Sequence, residues 1–137
     1  MIKDDCIFCK LANGVIPTRT VYEDGDFRVF MDAAPATKGH CLIVPKSHFD
    51  NLETIDDEVS SKLMPLAKKL MKQLKEKLGC EGLNLVQNNG EIAGQSVFHF
   101  HLHVIPRYTD DKQEILWNPT SPSDEELDAT LKKIIGA

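Results

Sequence analysis

Val97-Phe98-His99-Phe100-His101-Leu102-His103-Val104-Ile105-Pro106 is the stretch on which the reading of this chain turns. Three histidines alternate with large apolar residues. A period of two is the mark of a β-strand with one buried face. His99, His101 and His103 fall on one face. Phe98, Phe100, Leu102 and Val104 fall on the other and give the strand a core to pack on. Strand rise spaces the imidazoles about 6.6 Å apart. They are too distant to bond one another directly, yet close enough to surround one small anion. Three histidines on one face each need a polar partner, which packing alone does not supply. The run therefore reads as a site.

The chain has 137 residues, enough for one domain with a real core. A single domain over 1–137 is expected, with 109–137 as a C-terminal extension. The net charge of −5 argues against nonspecific nucleic-acid or acidic-membrane binding, which needs a basic surface. A small phosphate ligand stays open, because backbone N–H groups and neutral side chains can hold it. The N-terminus is acidic and lacks an apolar run, so neither a signal peptide nor a membrane span is expected. Cytoplasmic residence follows as the default, and with it four reduced cysteines.

Two of these, Cys6 and Cys9, form a Cys-x-x-Cys pair. In a reducing compartment that spacing suggests half of a zinc site or a redox pair. The redox form expects a strand before the pair, and none precedes it. Half a tetrahedral zinc site needs two more ligands, for which His48 and His99 are candidates. Two buried thiols acting as small hydrophobes are the plainer alternative.

Further along, 10–12 suggests one helical turn. Strands are expected at 20–23 and 27–31, joined by the hairpin signal Asp24-Gly25. Residues 33–39 form a loop flanked by Asp32. His40 to Pro45 is nearly all apolar and reads as a central strand stopped by proline. Apolar residues at 59, 63, 66, 70, 74 and 78 predict a helix over 57–78, kinked by Pro65 or with Pro65 in its first turn, and stopped by Gly79. A fourth strand spans 83–87. The loop 88–96 carries two glycines, which permit close backbone approach to a ligand. Ser123 to Glu126 is a capping box opening a last helix with Leu127, Leu131 and Ile134 on one side. About five strands in hairpin-like succession with one long helix make an α+β domain on an antiparallel sheet.

Two chemistries suit the histidine face. One is a catalytic metal site, although no carboxylate lies between Glu91 and Asp110. The other is nucleophilic attack at phosphorus by a neutral imidazole, with Ser96 and nearby N–H groups as phosphate donors.

His99-Phe-His101-Leu-His103-Val-Ile resembles the histidine triad motif of the HIT superfamily of nucleotidyl hydrolases and transferases. The likeness runs from about Cys6 to Tyr108. It includes Lys38-Gly39-His40-Cys-Leu-Ile-Val-Pro45-Lys46-Ser-His48, and Asn88-x-Gly90 with Gly94-Gln95-Ser96-Val97. The branch it most resembles is the Hint type, in particular its bacterial members with Cys-x-x-Cys. Trp117-Asn-Pro119 is similar to a C-terminal motif of that branch, but Thr120 stands where glycine is usual.

The resemblance implies a homodimer in which two five-stranded sheets join. It implies that His101 attacks the α-phosphate of a purine nucleotide derivative such as a nucleoside phosphoramidate. A nucleotidyl-histidine forms, and water then releases the monophosphate. His103 would hydrogen-bond the phosphate beside the N–H groups of Gln95, Ser96 and Val97. Ser96 or His103 would assist the leaving group. His40 would be a polar support beneath the triad. Asp32 would bind the ribose hydroxyls, with Asn88 and Gly94 nearby. Ile7, Phe8, Leu11, Ile16 and Phe30 would line the purine slot. Cys6, Cys9, His48 and His99 would hold a structural zinc. A dinucleoside polyphosphate hydrolase, a metalloenzyme using the triad as ligands, and a nucleotide-binding regulatory or scaffold protein are the competing expectations.

Overall fold

The computed structural model describes residues 1–136. Its elements in chain order are α1 (Ile7–Ala12), β1 (Thr20–Glu23), β2 (Phe27–Met31), β3 (Cys41–Pro45), α2 (Asp57–Ser61), α3 (Leu63–Leu78), β4 (Gly82–Val86), β5 (Leu102–Arg107) and α4 (Asp124–Ile135). The five strands make one antiparallel sheet in the order β1-β2-β3-β5-β4. The expected α+β architecture, with five antiparallel strands, a long helix and a C-terminal helix, is what forms.

The turn between β1 and β2 is built by Asp24. Its Oδ1 accepts the N–H groups of Asp26 and Phe27, both at 2.8 Å, an Asx arrangement that closes the hairpin without help from glycine geometry. The long helical pattern is divided in two. Pro65 has no N–H to give the carbonyl of Ser61, and its ring crowds that carbonyl. The first helix accordingly ends at Ser61, and Pro65 sits in the first turn of α3. Leu63, Leu66, Ala67, Leu70 and Leu74 of α3 are buried against one face of the sheet, each large side chain worth roughly 1.5–3 kcal/mol. They meet Phe27, Val29, Cys41, Ile43, Phe100, Leu102 and Val104. Gly79 ends α3 in the left-handed conformation at φ 70°.

The other face of the sheet carries a smaller cluster of Ala12, Phe30, Leu42 and Val44, with Phe8 and Leu11 of α1 against it. The triad histidines emerge on this thinly covered face.

The histidine stretch departs from expectation at its start. Only His103 lies within β5, while His99 and His101 precede it outside the ladder. The pairing of β5 with β3 starts at Leu102↔Ile43. Two residues along β3 comes Pro45, which has no N–H, and its carbonyl is taken by the His99 ring. Phe100 instead donates its N–H to the carbonyl of Phe49 at 2.6 Å. The alternation still holds for Phe100, Leu102 and Val104, but Phe98 does not join the core. It is 52% exposed, because the chain bends through 97–99 before the sheet begins.

Candidate active site

Four side chains converge behind the first histidine. The Nδ1 atoms of His99 and His48 and the Sγ atoms of Cys6 and Cys9 lie within 4.8 Å of one another. His99 Nδ1 is 3.4 Å from each sulfur, and His48 Nδ1 is 3.4 Å from Cys9 Sγ. A tetrahedral zinc with sulfur bonds near 2.3 Å and nitrogen bonds near 2.0 Å needs an S···N edge of about 3.5 Å. Both imidazoles are oriented from behind. His99 donates Nε2–H to Pro45 O at 2.8 Å, and His48 donates Nε2–H to Asp50 Oδ1 at 2.7 Å. That fixes the lone pairs toward the sulfurs, as a metal ligand requires. The donor set fits a metal ion. Burial raises the Cys9 thiol, and a bound cation would reverse that.

The local folding that assembles this cluster is simple. Cys6 caps α1, its sulfur accepting the Cys9 N–H at 3.4 Å. One helical turn then brings the second thiol back beside the first. His48 follows the end of β3, and Asn13 ties α1 to that corner by donating to Cys9 O and Lys46 O at 2.9 and 2.8 Å.

The second and third triad histidines open into a cleft of about 290 Å³. Phe8, Leu11, Phe30 and Leu42 give it an apolar floor, and Asp32, Ser96, His101 and His103 line its polar side. Convergent polar groups over an apolar floor are the usual make-up of a small-molecule site. His101 donates Nδ1–H to the His99 carbonyl at 2.7 Å, so its Nε2 carries the lone pair. Phe8 packs edge-on against this ring at a centroid distance of 4.8 Å. The His101 and His103 rings are 5.0 Å apart. Burial lowers His101 and His40. His103 is held down to about 4, first by burial and then by His101 and His40. Burial likewise takes His99 down to about 4. Burial therefore favours the neutral form of His40, His99, His101 and His103 at pH 7.

Other expected residues fall outside the cleft. Ile7 is exposed and lines a separate groove with Cys6, His48 and Phe98, because it sits on the outer side of α1. Ile16 is half-buried beside the cleft without lining it. Gln95 is buried and fastens its loop. It accepts the Gly90 N–H at 2.9 Å and donates to Asp50 O and Val97 O at 2.7 and 3.1 Å. Gly94 has φ +99°, and an added Cβ would meet Asn88 Nδ2 at 3.4 Å. These two residues pack on each other and do not line the cleft. Six lining residues went unanticipated: Met31, Ala33 and Leu42, which neighbour expected ones, and Pro17, Thr18 and Arg19. The last three lie in a polar connection with no periodicity to flag it. Asp50 was also missed, although its alternate spacing from His48 was a usable signal.

The HIT domain family model matches residues 13–110. This chain belongs to the HIT family. Among its relatives is the adenosine 5'-monophosphoramidase hnt1 of Schizosaccharomyces pombe, 38% identical over 130 residues, covering 94% of this chain and 95% of the relative. Of solved HIT-fold structures, SMU.412c of Streptococcus mutans superposes with a TM-score of 0.92 at 36% identity, over 98% of this chain and 85% of that one. A zinc-bound histidine triad family protein of Mycobacterium smegmatis superposes with a TM-score of 0.76 at 33% identity, over 96% of both chains. Among the described residues, no helix is long and apolar enough to cross a membrane.

Proposed function

We propose that this protein hydrolyses nucleoside phosphoramidates or related purine nucleotide derivatives at the α-phosphate, through a nucleotidyl-histidine intermediate. One observation carries the reading. His101 spends its single neutral-ring proton on the His99 carbonyl, which leaves Nε2 as a free lone pair. The phosphoramidase name of the fission-yeast relative favours this substrate class over dinucleoside polyphosphates.

In this reading the purine lies on Phe8, Leu11 and Phe30, and the ribose hydroxyls donate to Asp32. His101 Nε2 forms a bond to the α-phosphorus as the bond to the leaving amine breaks. His103 and Ser96 donate to the phosphoryl oxygens or to the departing group. Water then cleaves the phosphorus–nitrogen bond, releasing the nucleoside monophosphate and the free imidazole. His40 supports His103 from beneath.

Cys6, Cys9, His48 and His99 would hold zinc. With all four positions filled by protein, the ion would supply structural restraint and no open coordination site. It would tie α1 and the end of β3 to the triad stretch. The zinc-bound mycobacterial relative supports this assignment. The same reading takes residues 1–137 as one domain with 109–137 as an extension, in a cytoplasmic homodimer. The unpaired outer edge of β4 is where two sheets could join.

The deciding experiment is mass spectrometry after brief incubation with an adenosine phosphoramidate. A mass gain of one AMP on the peptide bearing His101 is expected. Turnover with an adduct on another residue, or with none under rapid quench, would overturn the mechanism.

A further inference from the structure

We infer that the backbone amide of Ala36 is a positioning group that fixes the tautomers of His40 and His103, and that it keeps the Asp32–His40–His103 cluster from acting as a metal site. Its effect on turnover rests on the hydrolase reading above. The tautomers do not.

The argument follows protons. Ala36 N–H donates to His40 Nδ1 at 2.9 Å, so that nitrogen is the acceptor and the ring proton sits on Nε2. His40 Nε2 is 2.9 Å from His103 Nδ1, and with the proton on Nε2 the direction is fixed as His40 to His103. His103 Nδ1 is then an acceptor as well, and its own proton lies on Nε2, the nitrogen left to face a ligand in the cleft. A main-chain N–H that cannot change its role thus decides, two rings away, that His103 meets substrate as a donor. Reversing the chain would set two N–H groups against each other at Ala36.

The same bond answers a question raised by the cluster's composition. One ligand atom from each of Asp32, His40 and His103 lies within 4.8 Å of the others, and Asp32 Oδ2 is 3.6 Å from His40 Nε2. Two histidines and a carboxylate at that spacing match a common transition-metal set. A metal on His40 Nε2 would push the ring proton to Nδ1, straight at the Ala36 N–H. The two donors would oppose each other in a buried setting, where an unpaired polar group costs most.

The amide is held in place by the loop around it. Thr37 Oγ1 donates to Pro106 O at 2.5 Å, Tyr108 Oη donates to Lys38 O at 2.8 Å, and Gln113 Nε2 donates to Ala36 O at 2.9 Å. Each anchor reaches the loop from β5 or from the chain just after it, so the tautomer is set by tertiary structure and not by the loop alone.

The test needs first only the wild-type chain, labelled with ¹⁵N and studied by long-range ¹H–¹⁵N correlation. His40 and His103 should both show Nε2–H, with scalar coupling between the Ala36 amide nitrogen and His40 Nδ1. A protonated Nδ1 on either ring overturns the proposal, whatever the protein hydrolyses. The second arm replaces the Ala36 amide by an ester, with lactic acid at position 36, which removes only the N–H. Mixed tautomers should then appear on both rings. Turnover of an adenosine phosphoramidate should fall about tenfold, and added Co²⁺ should bind beyond the equivalent taken by the thiolate site. Unchanged tautomers in the ester variant would also overturn it. Should that variant not fold, the wild-type spectrum decides alone. Correct tautomers with no hydrolysis would sink the functional reading and leave this one standing.

Discussion

The ring of His101 and the carbonyl of His99 are joined by a hydrogen bond of 2.7 Å. The residue that points its side chain at the two cysteines therefore also aims, with its backbone, the ring proposed as nucleophile. His101→Asn should keep nucleotide affinity within about threefold while turnover drops by at least about 10³-fold, since the lone pair acts only in the transition state. Calorimetric binding and steady-state kinetics on one preparation check both halves. A variant within tenfold of wild-type turnover would remove His101 as nucleophile.

Metal removal should reach stability before chemistry. One zinc per chain is expected, and Cys9→Ser should lose it. Chelation should lower Tm by roughly 5 °C or more, and activity should decline only as the fold loosens. Immediate loss of turnover at unchanged Tm would mark a catalytic ion instead.

Acid should destabilise the protein well above the carboxylate range. His103 titrates near 4 in the folded chain against an ordinary value of 6.5. Between those values the unfolded chain binds the extra proton, so stability rises with pH there. The full contribution is present above about pH 6.5 and is lost as pH falls toward 4. Urea midpoints should drop through that window, and His103→Gln should flatten the slope.

Gly39→Ala should be costly. Gly39 has φ +90°, and a Cβ there would come within 2.4 Å of Leu78 Cδ1 and 3.3 Å of Pro106 Cγ. Left-handed strain and overpacking together predict a loss of about 2 kcal/mol or more, read from denaturant unfolding. A loss under about 0.5 kcal/mol would show that the end of α3 yields freely.

Much of this fold was legible because its signals are local. Ser123 and Glu126 announced α4, and the structure has the complete capping box. The spacing of Leu63, Leu66, Leu70 and Leu74 gave the buried stripe of α3. The cysteine pair with His48 and His99 was legible because metal chemistry restricts the partners. The start of β5 was not, because His99 and His101 keep a strand's alternation while Pro45, which falls opposite Phe100 in the β3–β5 register, has no N–H to carry the ladder back to them. Arg19 escaped because its place in the cleft comes from the turn after α1, which no periodicity records. The Ala36 amide escaped for a deeper reason: a main-chain donor leaves no trace in residue identity.

The far end of the chain has a different character. None of residues 114–136 is buried, and Leu127, Leu131 and Ile134 of α4 point into solvent. Changes of length or composition in this tail should leave the melting of the sheet unaltered. Mutational tolerance should therefore rise abruptly past Gln113, the last side chain that grips the loop beneath the histidines.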